Sequence, residues 1–434
     1  MATPKPASRR PSLGVTCVFL SVLAVSSEAA VLHVSKEGDG SDPSTWAGAF
    51  QTVTGALASA LPGDQVWVRS ATYTEHIQLA TDVAVYGGFA GNEGFDEFDL
   101  RDWNLNETIV AGGTERKPLF EGAKDARVDG LIFRGGLLGG GKIRQPMRIM
   151  NCEVSDNASG LQGAGLYISN ATVSFKRCVI RNNFTTSLGG GVCALDARIV
   201  FDECKIMNNG CGSTGGGGLF LGSSICSATN CIIAKNHSYQ SSGGGLEVVH
   251  SQLRIIHSSI TGNESILGGT AIDAFPSGSP APVSHINCIN SIITGTRSGV
   301  FYSIYNSILS VPLLNGSESG SDNIVANPLF VSPNDYHLQA NSPAIDAGTK
   351  VLVAEDIEGN PRPVDIPGHG QDETGTEFDC GAYEYQIPAP TPTATETPVP
   401  TPTMNPHSDI DQNGRVDEED LLILKGDWGK TLNQ

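Results

Sequence analysis

Asp409, Asp411, Asn413, Gly414, Asp417 and Asp420 fall at positions 1, 3, 5, 6, 9 and 12 of one twelve-residue stretch. Oxygen donors at that spacing suit calcium, which accepts about six to eight of them in loose geometry, better than the stricter magnesium. Gly414 would make the sharp turn, Arg415 would offer its main-chain carbonyl, and Val416 would pack inward. Leu421, Leu424 and Trp428 then continue on one helix face. A second constellation lies mid-chain. Tyr167, Cys193, Phe220, Glu247 and Asp273 occupy the same slot of successive repeats, just after a glycine run. If the repeats stack, Glu247 and Asp273 become neighbours, and two adjacent carboxylates invite a cation or a shared proton. Tyr167 and Phe220 would form an apolar strip suited to the C–H faces of sugar rings.

The repeats must position these side chains. NCEVSDN, RCVIRNN, ECKIMNN, NCIIAKN and HSSITGN begin at 151, 177, 203, 230 and 257. Cys152, Cys178, Cys204, Cys231 and Ser258 share one slot, separated by 26, 26, 27 and 27 residues. Asn157, Asn183, Asn209, Asn236 and Asn263 share another at the same separations. Apolar residues alternate within each repeat, as in Leu166/Ile168, Val173/Phe175 and Cys178/Ile180. Period two indicates strand, and a fixed period of this length indicates a solenoid. Three short strands and three turns per repeat make one coil of a parallel β-helix. Equivalent residues then stack ~4.8 Å apart. Val, Ile, Leu, Phe and Cys should fill the tube. The Asn rungs should sit at turns, in left-handed backbone, with amides bonded from rung to rung.

These phrases carry a resemblance. The chain resembles right-handed parallel β-helix proteins of the pectin-lyase-like class over roughly residues 31–386. Its [VI]xxN and GG[GA][LV] phrases also resemble the repeats of chlamydial polymorphic outer-membrane proteins, with Val154, Ile180, Ile206, Ile233 and Ile260 where those usually carry Phe. The fold class expected is all-β. Function does not follow from it, because one fold hosts many. A lyase of this class would need a calcium-holding carboxylate cluster with Arg or Lys as base, and a hydrolase would need paired aspartates. The paired-Asp phrases are absent from the coils. GHG (368–370) resembles a hydrolase phrase but lies beyond the coils and is set aside.

Composition narrows the partners. Formal charge is −19 and no basic stripe occurs, which makes nucleic acid and anionic membrane poor partners. Residues 1–29 read as a signal peptide: Lys5, Arg9 and Arg10, an apolar stretch Leu13–Val25, then Ser27-Glu28-Ala29. The apolar part is too short to span a bilayer. A secreted or cell-surface location is the expectation, with no transmembrane helix in the mature chain. Nine cysteines remain after Cys17, an odd number. Those in the ladder read as small inward hydrophobes, while Cys193 with Cys211 is a candidate for an outward disulfide. His237, His250 and His257 show no metal-ligand spacing and read as turn and surface residues.

The remaining segments fall into place around the coils. Residues 30–64 read as an N-terminal cap whose amphipathic helix, Ala49–Ala60, plugs the tube. Coils run over 65–326, with an acidic loop at 92–108. NPLFVSPNDYHLQANSPAIDAG, DIEGNPRP and DCGAYEY resemble the C-terminal region of secreted proteins with a choice-of-anchor Q domain, so 327–386 reads as a last coil and cap. Arg362, between Asp346, Asp356 and Asp379, reads as a structural ion pair. Residues 387–406 are a Pro/Thr linker. Residues 407–434 resemble half of a type I dockerin, an EF-hand-like module, with Asp420 where ordinary EF-hands have Glu. That resemblance implies calcium as cofactor and a cohesin-like scaffold domain as partner, although a dockerin has two such loops and this chain has one. The expected function is a non-catalytic protein that binds polysaccharide or a cell-surface glycan. The alternative is a carbohydrate-active enzyme, a polysaccharide lyase or glycoside hydrolase using Glu247 and Asp273.

Overall fold

The computed structural model describes residues 29–213, 215–275, 284–299, 302–312, 318–370 and 377–387. The signal-like segment, nearly all of the Pro/Thr stretch and the calcium loop Asp409–Asp420 lie outside the described residues. Among the described residues no helix is long and apolar enough to cross a membrane.

The coils form as the repeats require. Among the described residues three parallel sheets of 12, 11 and 9 strands run along the tube. Strands such as Thr172–Lys176, Val179–Arg181 and Val192–Leu195 represent the first, second and third sheets in one turn of the tube. Registry follows the sequence slots: Ile180 pairs with Ile206, which pairs with Ile233, and all three are buried. Five coils hold a fourth sheet that the three-strand reading omits, made of two-residue strands such as Phe184–Thr185 and Gly210–Cys211. The reason is the length of the polar segment after the Asn slot, which is long enough to add one more pairing before the glycine run.

The asparagine ladder forms, with one correction. Nδ2 of Asn157, Asn183, Asn209 and Asn236 donates to Oδ1 of the next rung at 2.9, 2.9, 3.0 and 3.0 Å. The same amides also donate to main-chain carbonyls such as Phe133 and Ile180. The left-handed backbone belongs to the residue before each rung: Asp156, Asn182, Asn208 and Lys235 have φ near +55°. The ladder asparagines face into the tube, where their amides cap strand ends that no neighbouring strand reaches. All nine described cysteines are free, including Cys193 and Cys211. Burial pushes the Cys152 and Cys226 thiols up to about 12, so these thiols behave as apolar fillers.

A helix closes the N-terminal end, as expected, but it is shorter, Val53–Ser59. Thr52 caps it, and the Glu75 carboxylate accepts from the main-chain N–H groups of Val53 and Thr54 at 3.0 and 2.9 Å. Val53, Ala56 and Leu57 join the core.

The C-terminal segment is not a further coil. Its strands Phe330–Ser332 and Asp335–Leu338 pair antiparallel with each other. It lies along the outer face of the second sheet. Tyr336, Ile357, Ala382 and Tyr383 cover Ile232 and Ala234, while Leu338, Ala344, Ile345 and Cys380 cover Ile292 and Ile308. Arg362 is a buried structural cation, but its carboxylate partner is Glu384 and not Asp346, Asp356 or Asp379, which the sequence places around it. It pairs with Glu384 at 3.5 Å and donates to the Gly381 carbonyl at 2.9 Å. His257, expected at the surface, is fully buried beside Arg362, and Asn290 lies 3.1 Å from its ring. Burial first, then the Arg362 charge, pulls its pKa well down, so this imidazole is neutral.

Candidate functional site

The slot that carries the sequence candidates becomes one continuous outer ladder on the third sheet. Lys142 pairs with Tyr167, Tyr167 with Cys193, and Cys193 with Phe220. Phe220 pairs with Glu247, Glu247 with Asp273, and Asp273 with Ser298. All these side chains leave the strand away from the tube core, as the alternation requires. Their surroundings differ sharply along the ladder.

At the C-terminal end the ladder is sealed. Glu247 and Asp273 are each only 5% exposed. Asp273 accepts from the Ser242 and Ser298 hydroxyls. Oε2 of Glu247 has no partner. Burial first, then the Asp273 charge, pushes the Glu247 carboxyl up to about 7. The lid is the preceding coil's loop. A Cβ at Gly215 would fall 1.7 Å from Glu247 Oε2 and 2.3 Å from the Ser242 carbonyl oxygen, so only glycine lets this loop close. Such a pair can share a proton, but nothing the size of a sugar ring reaches it. Phe220 and Cys193, expected in an exposed strip, are buried too. The strip is therefore a covered second layer, not a platform.

At the N-terminal end the ladder is open. Tyr167 and Lys142 are partly exposed and floor a groove of about 420 Å³, bordered by Arg144, Leu138, Leu161 and Gln162. Loop length explains the contrast. Before Gly141 the link from the second to the third sheet is six residues, 135–140, whereas before Leu219 it is eleven, 208–218. Gly215 of that longer link covers Glu247 on the next coil; the short link carries no fourth-sheet strand and leaves Tyr167 uncovered.

Two aromatics outside this ladder escape the sequence reading. Phe184 and Tyr239 are 43% and 49% exposed and meet edge-to-face at 5.9 Å across Gly210. Phe184 opens a fourth-sheet strand and Tyr239 follows one, so a three-strand reading gives them no address. Among the described residues no group of three or more His, Cys, Asp or Glu side chains is placed to hold a metal ion.

Comparison with known proteins agrees with this architecture. A model of the right-handed β-helix region matches residues 138–311. The pectate lyase Pel9A superposes with a TM-score of 0.54 at 15% identity, covering 83% of this chain and 97% of that one. A rhamnogalacturonan lyase gives 0.41 at 11% identity, over 79% and 97%. The pectin methylesterase PemA from Erwinia chrysanthemi gives 0.38 at 12%, over 68% and 93%. No curated protein matches the chain. The molecule is a right-handed parallel β-helix of pectin-lyase-like fold, and identities this low speak for the fold alone.

Proposed function

We propose that this protein binds an acidic polysaccharide, without cleaving it, in the groove floored by Lys142 and Tyr167. The observation that carries the reading is their pairing on adjacent strands beneath an open groove, with Arg144 at its border. A sugar ring can stack on Tyr167 while the two cations meet carboxylates or sulfates. These cations stand out on a chain of formal charge −19, so the attraction is local and should weaken with salt. The shared fold with a pectate lyase is compatible with a carbohydrate role. The enzyme alternative finds no support in the Glu247–Asp273 pair, which is sealed from any polymer.

We further propose that the calcium loop, through Asp409, Asp411, Asn413, Arg415, Asp417 and Asp420, attaches the secreted protein to a cohesin-like scaffold domain. The experiment for the groove is retention of the full chain on immobilised polygalacturonate and on neutral glucan, with product release scored separately. Tyr167→Ala and Lys142→Glu should each weaken retention roughly tenfold, with no product from the wild type. Turnover of the polymer, or retention indifferent to both changes, would sink the reading.

A further inference from the structure

The fourth sheet carries an open surface of its own. The first position of each two-residue strand faces outward, and pairing stacks Phe184, Gly210, His237 and Glu264 in one row. Gly210 leaves a gap in that row. A Cβ there would fall 3.1 Å from both the Phe184 and the Tyr239 rings, so glycine lets the two aromatics lean together over the strand. The Tyr239 ring also lies 3.9 Å from the His237 ring, centroid to centroid. Phe184, Tyr239 and His237 thus form a continuous platform. Unlike Phe220, which is covered, both large rings reach solvent.

The platform runs into a groove of about 530 Å³ whose lining includes Lys235, His237, Tyr239, Glu264, Ser332 and Pro333. The hairpin of Phe330–Ser332 and Asp335–Leu338 makes the far wall, tied down where the Lys235 ammonium donates to the Asn334 side-chain oxygen. The Lys235 stem lies against Gly262, where a Cβ would stand 3.6 Å from its Cγ. The polar groups are open to a ligand: the side chains of Glu264 and His237 are 75% and 28% exposed. His237 Nδ1 lies 3.2 Å from Glu264 Oε2. Capacity remains beyond these contacts, because an ammonium has three donors and a carboxylate accepts at both oxygens.

The charge of the ligand follows from this lining. Lys235 and Glu264 bring opposite charges to one groove, so a ring of either sign gains at one and loses at the other. A neutral ring avoids that conflict, and its hydroxyls both donate to a carboxylate and accept from an ammonium. Its C–H face suits an aromatic platform. A groove of this size is in the range that takes a small organic molecule. We propose that the groove and platform bind a neutral β-linked glucan oligosaccharide, one ring stacked on Tyr239, the chain continuing toward Phe184, and hydroxyls bonded to Lys235 and Glu264. The site shares no lining residue with the groove at Tyr167 and does not rest on it.

Calorimetric titration of cellotetraose and of tetragalacturonate into the full chain tests this, with melting temperatures to check each variant's fold. Cellotetraose should bind, Tyr239→Ala should weaken it roughly tenfold or more, and Phe184→Ala should weaken it about threefold. Tyr239→Phe, which keeps the ring, should bind like the wild type. Tyr167→Ala should leave cellotetraose affinity unchanged, and Tyr239→Ala should leave any tetragalacturonate affinity unchanged, so either site can fail without the other. No binding of cellotetraose at millimolar concentration, indifference of a folded Tyr239→Ala variant, or loss of cellotetraose affinity in Tyr167→Ala overturns the proposal. So does self-association of the chain that Phe184→Ala or Tyr239→Ala abolishes, because the aromatics would then form an interface between copies.

Discussion

The two ends of the third sheet's outer ladder are built from the same strand position and meet opposite fates. Lys142 and Tyr167 face an open groove, while Glu247 lies under the loop at Gly215 and Asp273 under the next one, at Ser242. Neither the strands nor the direction of the side chains differs. What differs is the link on the preceding coil, six residues at one end and eleven at the other. A solenoid can thus expose or bury a ladder residue by changing a loop one repeat away. An acidic pair on the outward face is not, for that reason, a solvent-facing pair.

The largest expected effect separates the two aromatics. Phe220→Ala should destabilise the fold by about 4 kcal/mol, because it empties a covered layer. Tyr167→Ala, in the groove, should cost less than ~1 kcal/mol and act on polysaccharide retention instead. Denaturant midpoints and retention, measured on both variants, should show this reversal. Equal loss of stability in the two would mean that the ladder is covered throughout.

Glu247 sharpens the contrast through pH. Its carboxyl has an ordinary value of 4.5 and is pushed up to about 7 in the fold. Below about pH 4.5 the group is protonated in both folded and unfolded chains, and the site costs nothing. As pH rises to about 7 the unfolded chain releases the proton that the folded chain must keep, so stability falls. Glu247→Gln should therefore stabilise by about 3 kcal/mol at about pH 8 and by nearly nothing at about pH 4. A pH-independent effect would place the carboxyl in water.

The smallest effect concerns the lid. A Cβ at Gly215 collides with the Glu247 carboxylate and the Ser242 carbonyl, whereas one at Gly160 meets nothing within 4 Å. Gly215→Ala should cost about 2 kcal/mol, and Gly160→Ala less than ~1 kcal/mol. Similar melting of the two variants would remove the loop's role as a cover.

Much of the molecule is written in its repeats. Alternation and a 26–27-residue period name the strands, the inward rungs and the pairing of Glu247 with Asp273, because side-chain direction in a strand is fixed by parity. A further signal was legible there. The second-sheet phrases CIIA, SIIT and SILS carry apolar residues on both faces, as does CVIR at half-buried Val179, while SSIT between them carries Ser259 in the outward slot. Ile232, Ile292 and Ile308 lie beneath the C-terminal segment, together with Ser259, whose hydroxyl accepts from the Ala382 N–H. A strand apolar on both faces is a strand buried on both faces. That is why the final stretch lies along the wall of the tube and does not extend it.

The sequence by itself determined the coil, its register and its ladders, since these depend on local periodicity and on identical neighbours stacking. Tertiary structure alone decided which outward residues meet solvent. The loop that covers Glu247 belongs to the preceding coil, and the groove beside Tyr239 gains its far wall only when the C-terminal stretch folds back against the tube. Burial, and with it the acidity of Glu247, is set by residues distant in the chain. Desolvation depends on everything within a few ångströms, whatever its place in the sequence.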